Sequence, residues 1–177
     1  MKSLFVTLVL LLACSSPEPV PMPVVVRFTV RFEARFSASE RAELRAGMAA
    51  WEGSGAVELV EGEPWRTLPA PPAEGCSSEI LVAWASPDDP VLRGELAEAV
   101  GVGVVSCGVR YAAIVHGRVS RADLARVAAH ELGHAMGIEH VDQGVMTRTL
   151  RFVEPRATCD DWAAFCAVYP CPSDPCP

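Results

Sequence analysis

The chain is nearly devoid of lysine. Its 177 residues contain one, Lys2, and the remaining basic residues are arginines scattered among 22 acids, for a formal net charge of −7. No basic stripe exists, which argues against a nucleic-acid partner; an acidic surface of this size needs no explanation beyond solubility. Apolar runs of membrane-spanning length are missing too. The run from Leu4 to Leu12 is too short to cross a bilayer. Histidine is also scarce, with four in the chain. Half of the residues are hydrophobic, enough for a core, and the length fits one domain without internal repeats.

Three of the four histidines fall within His130-Glu131-Leu132-Gly133-His134-Ala135-Met136-Gly137-Ile138-Glu139-His140. On a helix, His130 and His134 lie on one face, one turn apart, so both imidazoles can reach one ion. Upstream, Ser120 with Asp123 reads as a capping box, and Arg121 to Met136 contains no proline. Leu124, Val127, Ala128, Leu132 and Ala135 form an apolar stripe along that helix. Gly137 stands where the helix must stop and the chain reverse, and His140 can then return as third ligand. Three imidazoles leave a fourth position open on zinc, the mark of a catalytic site. Glu131, beside the first ligand, is placed to act as general base on a metal-activated water.

This motif, H-E-x-x-H-x-x-G-x-x-H, resembles the signature of the metzincin clan of zinc endopeptidases. The resemblance makes Gly144-Val145-Met146 the candidate Met-turn, with Met146 as an apolar floor beneath the ligands. It implies an α+β fold: a zincin-like, twisted mixed sheet, mostly parallel, with two long helices and a small C-terminal helical subdomain. Size and the small C-terminal part look most like the matrixin-type branch. No tyrosine sits two residues past Met146, so the tyrosine ligand of astacin- and serralysin-like enzymes is not expected. His116 is the one histidine outside the motif. It reads as a loop residue, and a second, histidine-rich zinc site is not expected.

The N-terminus reads as an export signal over residues 1–13, with Leu11-Leu12-Ala13-Cys14 resembling a bacterial lipobox. Cys14 is the lipidation candidate, and residues 14–23 form a Pro/Ser-rich tether to the membrane. Residues 24–177 are then the metzincin-like catalytic domain. Setting Cys14 aside leaves an even set, Cys76, Cys107, Cys159, Cys166, Cys171 and Cys176, expected to form three disulfides in an exported protein. Cys159 and Cys166 lie about 10 Å apart along a helix, too far to bond. They are expected to pair with Cys171 and Cys176, leaving Cys76 for Cys107.

Along the domain, Val24–Phe36 alternates as a half-buried strand, and Ser37 or Ser39 caps a helix reaching about Trp51. Ala56–Glu61, Glu79–Ala85, Val100–Val105 and Val109–Val115 read as further strands. Thr158 with Asp161 opens a helix to about Tyr169, with Trp162, Phe165 and Tyr169 on one face. Asp88 and Asp89 can be read as a calcium loop or as a solvated turn. The segment Gly101–Cys107 can be read as a substrate-pairing edge strand or as a buried structural one.

The expected function is zinc-dependent hydrolysis of peptide bonds in extracytoplasmic proteins or peptides. One zinc would be held by His130, His134 and His140, with Glu131 as base. The expected protein is a monomer, lipid-anchored at a bacterial cell envelope, on the outer membrane or cell surface, and without a nucleic-acid partner. The alternative is a zinc-stabilised surface lipoprotein that binds or adheres and turns nothing over.

Overall fold

Alternation of apolar and polar residues builds the first strand, β1 (Val26–Phe32), which buries Phe28, Val30 and Phe32 on one face. The computed structural model describes residues 25–68, 77–88, 99–106, 109–149, 156–171 and 176. Ser37 caps helix α1 (Ala38–Ala49) in a capping box with Glu40, and Leu44, Met48 and the following Trp51 turn inward. Strands β2 (Val57–Glu61), β3 (Glu79–Ala85), β4 (Gly101–Ser106) and β5 (Val109–Val115) complete one sheet of order β2-β1-β3-β5-β4. β4 alone runs antiparallel, against β5, and forms one edge.

The helices cover one face of the sheet. Helix α2 (Leu124–Met136) packs against α1, β4 and β5. Its buried Leu124, Val127, Ala128, Leu132 and Ala135 join the sheet's Val30, Ile80 and Ile114 in the main core. Trp51 locks the two helices by donating its indole N–H to the Ala129 carbonyl at 2.9 Å. Helix α3 (Cys159–Val168) closes the core from below with Trp162 and Phe165, both fully buried. The opposite sheet face carries a smaller cluster of Trp65, Leu81 and Ala83.

The start of α2 differs from expectation. Residues Arg121–Asp123 form a 3-10 turn, and the Ser120 hydroxyl donates to the Asp123 carboxylate instead of capping backbone amides. Arg126 also binds that carboxylate, so Asp123 is drawn toward side chains and leaves the box unformed. α3 does open with its box: Thr158 N–H donates to Asp161 Oδ2 at 2.8 Å. Among the described residues no helix is long and apolar enough to cross a membrane.

Candidate metal centre

The second half of α2 presents His130 and His134 one turn apart on the face turned away from the main core. Gly137 then takes φ 91° as the helix C-cap, a conformation glycine adopts without steric cost. The amides of Gly137 and Ile138 bond back to the carbonyls of His134 and Gly133, and the reversed chain delivers His140. The ligand atoms of His130, His134 and His140 lie within 4.8 Å of one another. His134 Nε2 and His140 Nε2 are 3.2 Å apart, converging on a common point.

Two of the rings are fixed from behind. His130 Nδ1 lies 2.8 Å from the Val145 carbonyl and His134 Nδ1 lies 2.9 Å from the Ile138 carbonyl. A carbonyl can only accept, so each Nδ1 carries the proton and each Nε2 offers a lone pair. Burial holds all three imidazoles below the ordinary histidine range, His130 to about 4, and the charge of Arg148 adds to the depression at His140. Three neutral imidazoles, two of them with paired outer nitrogens, fit a zinc ion with an open fourth position.

Glu131 sits beside these ligands, 4% exposed, with no partner for its Oε2 among the described residues. Burial pushes its carboxyl up to about 8, against a smaller opposing effect from a backbone hydrogen bond with Gly103. β4 can lie this close because Gly101 and Gly103 lack side chains. A Cβ on Gly101 would stand 2.5 Å from Glu131 Oε1, and one on Gly103 would collide with His134. Beneath the histidines, Met146 is fully buried with its thioether over Gly133. The turn that carries it is closed by Val141 N–H to the Met146 carbonyl, 3.1 Å.

Residues 34–170 match the peptidase family described as Peptidase_M10, Matrixin. The chain belongs to the matrixin family. This places it in the metzincin clan of zinc metalloproteases, in accord with the ligand set. Among solved structures the chain is similar to high choriolytic enzyme 1, a hatching enzyme zinc-protease from the medaka Oryzias latipes. That match has 18% identity and a TM-score of 0.40, covering 68% of this chain and 48% of the other. No curated protein sequence matches it.

In this matrixin, one residue central to the site was read from sequence only as a local cap. Asp161, fully buried at the start of α3, accepts from the amides of Val145 and Met146, both at 2.9 Å, as well as from Thr158. Its carboxylate therefore holds the turn whose Val145 carbonyl orients His130. Arg110 was also missed. It is buried in β5, stacks over Phe28 at 5.1 Å, and donates to the Ala135 carbonyl at the end of α2. A charged residue at an inward strand position was the available signal.

The matrixin's other sequence-derived candidates fall away from the histidines. His116 packs edge-on against Trp84. Asp88 lies in an exposed turn, while Asp89 lies outside the described residues. The structure bonds Cys159 to Cys176 and Cys166 to Cys171, with Cα separations of 5.1 and 5.3 Å. Cys14, Cys76 and Cys107 lie outside the described residues. β4 is an edge strand, and its residues Gly101 to Gly103 line the cleft over the histidines, a cavity of about 640 Å³.

Proposed function

We propose that this matrixin is an endopeptidase that hydrolyses peptide bonds of extracytoplasmic proteins or peptides. The observation that carries the reading is Glu131. A carboxyl group buried beside three converging imidazoles, with one oxygen unpartnered among the described residues, would be costly in a purely structural site. This weighs against a protein that only binds or adheres.

His130, His134 and His140 would hold one zinc ion. When bound, zinc supplies Lewis acidity, lowering the pKa of water toward ~7 and polarising the substrate carbonyl. Glu131 takes the proton of the attacking water and returns it to the leaving amine. In the metal-free protein, burial raises the affinity of its carboxyl for a proton. Substrate backbone would pair with β4, the edge strand of the described sheet.

Export and tethering through Cys14 are part of the same proposal, with the enzyme acting as a monomer at a bacterial cell envelope. The two disulfides support a compartment outside the cytoplasm. The test is cleavage of unfolded casein by the zinc-loaded protein. Chelation should abolish it and zinc restore it, while Glu131→Ala should keep stoichiometric zinc and lose about a thousandfold or more in rate. Full activity in Glu131→Ala would overturn the mechanism.

A further inference from the structure

The cleft over the histidines has two extended walls. β4 forms one. The other is the segment after Met146, where Thr147 bridges Val141, the residue immediately following the ligand His140. Thr147 is buried, and the next residue, Arg148, is exposed and lines the cavity. Among the described residues Arg148 is the only basic side chain, histidines aside, on that lining, and it makes no ion pair. The described lining carboxylates do not pair with it: Glu131 takes its hydrogen bond from Gly103, and Glu139 forms no bridge to Arg148 within 4 Å.

The geometry points to Arg148 as a specificity determinant that selects substrates carrying a carboxylate close to the cleaved bond. This rests on the endopeptidase reading and deepens it. An extended substrate advances about 3.3 Å per residue. Arg148 lines the same cavity as the three histidines and its charge acts on His140, so its guanidinium can meet a group within one or two residues of the bond lying over them. Guanidinium and carboxylate match in a two-pronged hydrogen-bonded pair, stronger than a neutral contact. The carboxylate can come from an Asp or Glu side chain or from the substrate's own C-terminus.

Matched peptides separate these sources. One series carries Asp or Glu near the scissile bond and has an amidated end; its twin carries Asn or Gln. A third ends in a free carboxylate just beyond the bond. We expect the zinc-loaded protein to favour carboxylate peptides on the order of tenfold in kcat/KM, mostly through KM and less so in high salt. In Arg148→Ala that ratio should fall toward one, and Arg148→Glu should reverse it in favour of Lys-containing peptides. A preference confined to the third series would assign the carboxylate to the chain end. An unchanged ratio in both variants would overturn the assignment while leaving the endopeptidase reading intact. Fluorescence anisotropy of the same peptides on zinc-loaded Glu131→Gln gives a readout without turnover. If no peptide is cleaved, the endopeptidase reading falls, and this binding ratio, with and without Arg148→Ala, still decides for or against the carboxylate site.

Discussion

At the residue scale, Glu131 and its neighbouring ligands respond to burial in opposite ways. Burial disfavours charge, so it lowers the pKa of the imidazoles and raises that of the carboxyl. Neutral imidazoles are what a metal needs, and a reluctant anion is what a proton carrier needs. The cost appears in the metal-free protein. Because the folded-state pKa of Glu131 is raised to about 8 from an ordinary 4.5, its burial is tolerated fully below the unfolded value and becomes destabilising as pH rises from 4.5 to about 8. Metal-free Glu131→Gln should therefore gain stability over the metal-free parent, on the order of 4 kcal/mol at about pH 8 and little at about pH 5. Urea unfolding of both proteins at the two pH values checks this; a gain that is the same at both would refute the account.

At the element scale, the site is a product of helix ends and turns. α2 supplies two ligands from its last two turns, Gly137 reverses the chain, and the start of α3 anchors the turn that orients His130. Spacing alone made the first two legible, because ligands four apart on a helix and a glycine at its end are local facts. The alternation in β1 and the apolar stripe of α2 were legible for the same reason. The anchor was not. Thr158 and Asp161 mark a helix start within four residues, but the two further amides that Asp161 satisfies belong to Val145 and Met146, and only tertiary folding brings them near. The 3-10 turn before α2 was missed because side-chain bonds at Asp123 outcompete the cap that the pattern allows. We expect Asp161→Ala to leave these buried amides unpaired, costing about 3 kcal/mol, and to weaken zinc binding by about 10- to 100-fold through loss of ring orientation. Competition with a chromophoric chelator measures the second effect. Unchanged zinc affinity in a folded Asp161→Ala protein would show that the turn holds itself.

At the scale of the whole molecule, the five strands and three helices described above share the core, and the last helix is also tied to the tail by covalent bonds. Cys159–Cys176 spans 17 residues and Cys166–Cys171 spans 5. Loop closure in the unfolded chain gives the longer bridge about 3 kcal/mol of stabilisation and the shorter one less. The Cys159→Ser, Cys176→Ser double variant should thus unfold several degrees below the parent in a thermal melt. Its zinc affinity should fall less than that of Asp161→Ala, since the carboxylate anchor remains. If both properties fall equally, the bridge itself fixes α3 against the turn.

The dependence of His130 on Val145, and of Val145 on Asp161, also has a meaning in time. The ligands leave the ribosome first and their support leaves last. A nascent chain ending just beyond His140 has all three histidines yet lacks the carbonyl that orients His130 and the carboxylate that holds that carbonyl in place. The order of synthesis thus delays a fully formed metal centre until α3 has emerged, and a potential protease is kept incomplete during its own production.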